Sequence, residues 1–62
     1  MKEDQIYRVE NRPYREFVKR GGRWHLRDLD SWWEPFREWK PINNPAWEAM
    51  LDDGQDSFGK LY

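Results

Sequence analysis

Five tryptophans stand between Trp24 and Trp47 in a chain of 62 residues, and their need for cover constrains the fold more than any other feature. Each indole carries on the order of 200 Å² of mostly apolar surface and one N–H that needs an acceptor when buried. Such rings form either the core of a very small domain or a surface that another molecule covers.

Few other side chains can build that core. The aliphatic residues are Ile6, Val9, Val18, Leu26, Leu29, Ile42, Leu51 and Leu61, besides Met1 and Met50, so packing must lean on Trp, Tyr and Phe. A chain this short buries only about 60% of the surface it exposes when unfolded, and small domains usually add disulfides, a metal or a partner chain. Cysteine is absent and His25 is the only histidine, which leaves the aromatic core, a partner, or both. The charged fraction of 37% and mean hydropathy of -1.28 would suit disorder, but the 18% aromatic content argues for one compact domain, residues 1–62, with frayed termini.

The turn signals set the expected order of elements. Gln5–Glu10 mixes β-branched and aromatic residues and is followed by Asn11-Arg12-Pro13, which reads as a short strand and a turn. Gly21-Gly22 between two β-prone runs reads as a hairpin with a primed turn. Placing the glycines at the turn centre sets Arg20 opposite Arg23, Lys19 opposite Trp24, Val18 opposite His25, Phe17 opposite Leu26, Glu16 opposite Arg27 and Arg15 opposite Asp28. Two ion pairs and one apolar pair then face each other, with Phe17, Leu26 and Trp24 on one face. Arg20 opposite Arg23 is unfavourable.

Beyond Asp28 the period changes. Ser31-Trp32-Trp33-Glu34 fits a capping box, with Trp32, Phe36 and Trp39 at helical spacing, and Pro35 allows a later start in the first turn. This segment must end before Pro41. Asn44 as cap, Pro45 at the first helical position and Gly54 as stop predict a second helix, with Trp47, Met50 and Leu51 on one face. The fold class expected is α+β: a small antiparallel sheet, made of the N-terminal strand and the Gly-Gly hairpin, packed against the Trp-rich helical segment and the short second helix. Trp32, Phe36 and Trp39 are expected on the Phe17/Leu26/Trp24 face, and Phe58, Leu61 and Tyr62 are candidate anchors in a polar tail.

Charge is segregated along the chain. Residues 1–28 carry eight Lys/Arg and five Asp/Glu, a net of +3, and residues 29–62 carry three and seven, a net of -4. Lys19, Arg20 and Arg23 cluster at the hairpin tip and, with adjacent Trp32 and Trp33, which point to different sides of a helix, are the candidate partner-binding residues. A positive tip with interleaved Tyr14, Phe17 and Trp24 suits an acidic protein surface or a single-stranded nucleic acid.

Gly22-Arg23-Trp24-His25 followed by Trp32-Trp33-Glu34-Pro35 faintly resembles the second strand and closing W-x-x-P of the proline-binding WW module. The likeness covers residues 22–35 only, with Tyr14 and Phe17 where that module has its early Trp. Asp52-Asp53-Gly54-Gln55-Asp56 lacks the further ligands of a calcium loop, so neither metal nor cofactor is expected. One His, no Cys and no phosphate loop argue against catalysis. The opening Met1–Gln5 precedes no hydrophobic segment, and no apolar run suits a membrane span, so a cytoplasmic protein is expected. The function expected is a non-catalytic modulator or inhibitor docking on a larger protein, of the phage-made kind by analogy of size. A small nucleic-acid binder is the alternative, and a homo-oligomer suits either.

Overall fold

The structure, a computed structural model, describes residues 2–29, 38–56 and 59–62. Seven elements follow in order: β1 (Tyr7–Val9), β2 (Arg12–Arg20), β3 (Arg23–Asp28), β4 (Lys40–Pro41), α1 (Pro45–Asp52), β5 (Gln55–Asp56) and β6 (Gly59–Lys60). Strands β1 to β4 form an antiparallel sheet in sequential order, and β5 and β6 form a second, two-stranded one. The α+β class read from the sequence is the class observed, while residues 31–37 of the expected Trp-rich helix lie outside the described residues.

The hairpin has the register that the two glycines imply, from Arg20 opposite Arg23 to Arg15 opposite Asp28. Gly21 and Gly22 adopt φ of 59° and 75°, the left-handed pair of a primed turn whose twist matches that of the strands. The turn expected at Asn11–Pro13 is tighter than the sequence suggested, because Arg12 and Pro13 already belong to β2. Val9 pairs with Arg12 and Arg8 with Glu16, so a bulge leaves Pro13, Tyr14 and Arg15 without a β1 partner in the register. A proline is tolerated there because no ladder needs its missing N–H.

Helix α1 begins as expected. Asn44 is extended (φ -127°, ψ 104°), its Oδ1 accepts from the Trp47 N–H at 3.2 Å, and Pro45 opens the first turn. Asp53 caps the other end, and Gly54 at φ 81° donates its N–H to the Leu51 carbonyl at 3.0 Å.

These elements enclose one face of the sheet. Tyr7, Val9, Phe17, Trp24, Ile42, Leu51 and Leu61 form the buried cluster, with Leu26 and Trp47 packed against it. Phe17 meets Trp47 edge-on at 6.4 Å, and Tyr7 meets Trp24 edge-on at 5.9 Å. Both of these indoles find carboxylate acceptors: Trp24 Nε1 donates to Asp52 Oδ1 and Trp47 Nε1 to Asp56 Oδ2, each at 2.9 Å. The tail closes the cluster, since Arg8 and Tyr62 exchange backbone hydrogen bonds of 2.8 and 2.9 Å and Leu61 lies opposite Val9.

Among the described residues, the helix on the Phe17/Trp24 face is α1, which supplies Trp47 and Leu51. Trp39, expected on that face, is not itself helical and lies on the other one, its ring centroid 4.4 Å from the Arg27 guanidinium and 5.8 Å from that of Arg20. Two guanidiniums within reach of the indole suit that face better than the crowded core.

Candidate functional site: the hairpin tip and the second sheet face

At the tip, the local sequence places three cations within five residues, and the fold answers each with a carboxylate from elsewhere. Lys19 Nζ lies 2.8 Å from Asp52 Oδ1, Arg20 Nε lies 3.0 Å from Asp4 Oδ1, and Arg23 Nε lies 3.0 Å from Glu48 Oε1. Arg23 also donates from Nη2 to Asn43 Oδ1 at 2.9 Å. The repulsion expected between Arg20 and Arg23 is thus relieved from both sides. Asp52 is the node of this network: hydrogen bonds from Lys19 and from the Trp24 indole hold its carboxyl below the usual carboxylate range. Of the candidate partner residues, the structure brings Lys19, Arg20 and Arg23 together, while Trp32 and Trp33 lie outside the described residues.

Two of the three aromatic residues interleaved with these cations are not available for stacking. Phe17 is 0% and Trp24 1% exposed, leaving Tyr14, at 62%, as the open ring of that trio.

The second face of the sheet is built by strand alternation. Residues paired across strands share a face, so Arg8, Glu16 and Arg27 form one row over β1, β2 and β3. Glu16, 2% exposed, accepts from Arg8 Nη2 at its Oε2 and from Arg27 Nε at its Oε1, both at 2.7 Å. One carboxylate thus serves two guanidiniums, and Arg8, 49% exposed, uses one of its five donors in doing so. Val18 at the centre of this face is fully enclosed, whereas the margins are open. Tyr62, opposite Arg8 through their paired backbone bonds, is 64% exposed; Tyr14, two residues before Glu16, belongs to the same face; and Ile6, continuing the alternation beyond Arg8, is 44% exposed.

Sequence reasoning found the Glu16/Arg27 pair and the anchoring Leu61 but missed Arg8, and it offered Tyr62 as an anchor where the structure leaves the ring exposed. The register of β1 depends on a bulge, and that of Tyr62 on a chain reversal after α1, and neither has a local signal. Beside Tyr14, Asn11–Arg15 and Asp28 line an open depression of about 220 Å³, smaller than the roughly 300–1,000 Å³ of typical small-molecule pockets. His25, partly buried, has Nδ1 3.2 Å from the Arg23 carbonyl. Among the described residues, no helix is long and apolar enough to cross a membrane. Comparison with protein-family models, curated proteins and solved structures found no match.

Proposed function

We propose that this chain is a small non-catalytic binding protein, a modulator or inhibitor, that docks the margins of its second sheet face on a larger protein. The observation that carries this reading is the exposure of Tyr14, Tyr62 and Ile6 on the same face as the half-exposed Arg8; among the described residues, Met50 on α1 is the other large apolar side chain so exposed, and it stands apart from that face. Tyr and Arg are the residue types that dominate interface energetics, because each joins a large contact area to polar donors at modest entropic cost. Arg8 is held in place by Glu16 and keeps donors for a partner carboxylate. Trp32 and Trp33 stay in the proposal as further contacts.

Nucleic acid is the weaker reading. Phosphate binding would have to compete with the carboxylates already on Lys19, Arg20 and Arg23, and base stacking would find Phe17 and Trp24 buried. A net charge of -1 also supplies no long-range attraction for a polyanion.

The test is affinity capture from the native host with nuclease present, then binding of the purified captured protein to wild type and to Tyr14→Ser/Tyr62→Ser. A loss of at least about tenfold with an unchanged melting temperature supports the reading. Unchanged affinity refutes the face, and capture that disappears on nuclease treatment favours the nucleic-acid alternative.

A further inference from the structure

Residues 2–4 fold back along the hairpin tip and bond to it with their own acidic groups. The Asp4 N–H donates to the Lys19 carbonyl at 2.9 Å, while Asp4 Oδ1 accepts from Arg20 Nε at 3.0 Å. Glu3 Oε1 accepts from the Gly22 N–H at 3.0 Å. That amide is a donor the hairpin itself does not use, because in a two-residue primed turn the ladder closes through the flanking residues, here Arg20 and Arg23. The backbone N–H of Lys2 completes the strap with a 3.1 Å bond to the Tyr7 hydroxyl.

Two features make this strap displaceable. Arg20 and Asp4 are 50% and 73% exposed, and ion pairs so open to water are weakly held. Asp4 also sits at φ 61°, a left-handed conformation that side-chain-bearing residues seldom adopt, so the contact is kept against the backbone's preference.

We infer that the hairpin tip is a receptor for an acidic protein segment with two neighbouring carboxylates, occupied in cis by Glu3 and Asp4 and opened when a partner's segment displaces them. The chemistry of the ligand is read from its occupant: one carboxylate for the Arg20 guanidinium and one for the Gly22 amide. Glu48 and Asp52 remain on the flanks when the strap lifts, bound to Arg23 and Lys19, and their charge limits the site to a short acidic stretch rather than a run of phosphates. This inference is independent of the second sheet face, since Tyr14 and Tyr62 take no part in it.

The experiment uses the full chain as wild type, as Glu3→Gln/Asp4→Asn, and as Asp4→Gly, which removes a carboxylate at a φ that glycine accepts. The probe is a capped peptide of sequence Met-Lys-Glu-Asp-Gln-Ile, followed through the Gly22 amide and Arg20 Nε–H resonances. Because the cis strap competes at an effective concentration on the order of millimolar, both variants should bind the peptide at least about tenfold more tightly than wild type. Adding Arg20→Gln should abolish the shift. Equal affinity for wild type and variants, no movement of Gly22 at millimolar peptide, or binding that survives Arg20→Gln would overturn the inference. So would a stronger response to an oligothymidylate than to the peptide.

Discussion

Replacing Trp24 with alanine removes the side chain on which the core and the tip both depend. The ring is 1% exposed, meets Tyr7 edge-on, lies 5.8 Å from Lys19 Nζ and donates to Asp52. About 200 Å² of buried surface at about 25 cal/mol per Å² corresponds to about 5 kcal/mol, and measured Trp→Ala truncations cost about 3–5 kcal/mol. A domain of 62 residues has a total stability of about 3–9 kcal/mol at the usual range per residue. Trp24→Ala is therefore expected to be largely unfolded at 37 °C. Trp24→Phe, which keeps an aromatic ring but loses the indole donor, should cost about 1–2 kcal/mol and lower the melting temperature by roughly 5–15 °C. Urea unfolding followed by circular dichroism measures both. The Asp52 bond adds a pH signature. Because its carboxyl is held below the ordinary value of about 3.9, its contribution is present above that pH and is lost as pH falls through the folded value. Asp52 is half exposed, so its pair with Lys19 is worth only about 0.5 kcal/mol. The gap between wild type and Asp52→Asn should be flat from about pH 5 to 8 and close below about pH 4. A Trp24→Ala protein melting within about 5 °C of wild type would refute the placement of this ring in the core.

Glu16→Gln should destabilise the fold by about 3 kcal/mol, since it leaves two guanidiniums over a buried neutral amide; a urea midpoint equal to wild type would exclude the ion triad. Valine at both Gly21 and Gly22 should cost about 1–2 kcal/mol per residue although no atom within 4 Å blocks the added Cβ, because the cost lies in positive φ; unchanged thermal stability would mean that the turn is of another type. Reversing Lys19, Arg20 and Arg23 to glutamate sets like charges against Asp52, Asp4 and Glu48, so a loss of about 1–3 kcal/mol that shrinks in 1 M salt is expected. A melting temperature indifferent to both the reversal and the salt would discount these pairs.

The parts of the fold legible in the sequence are those whose signals are local. Gly21-Gly22 fixes six cross-strand pairs because a two-residue turn admits one register, and Asn44-Pro45 with Gly54 brackets α1 because caps act within a turn of the helix. Strand β4 had only a negative sign, the bias of Lys40 away from helical geometry before Pro41, and its pairing with His25 and Leu26 is set by the tertiary structure. The sequence places Trp39 on the Phe17/Trp24 face, but helical spacing alone does not distinguish it from Trp47, which takes that place. The choice is settled by chain reversal after Ile42, which turns α1 onto that face and leaves Trp39 to the guanidiniums. At the candidate site the cations were legible and their partners were not, because Asp4, Glu48 and Asp52 lie 16, 25 and 33 residues from the groups they bond.

The division of the chain into a basic half and an acidic half then has a structural meaning different from an electrostatic footprint. Glu48 and Asp52 of α1 bring the acidic half onto the tip of the basic hairpin, and Asp52 and Asp56 accept from the two core indoles. Each carboxylate of the helix and strand that follow it therefore does what a longer aliphatic chain would do in a larger domain: it fixes where a Trp or a cation sits, at a site with too little apolar surface to specify it alone. Segregated charge in this chain is thus spent on contacts between its two halves. Among the described residues, the proposed partner surfaces are the groups this pairing does not consume: Arg8 with its spare donors, on one face with Tyr14 and Tyr62, and Arg20, whose carboxylate comes from the proposed strap.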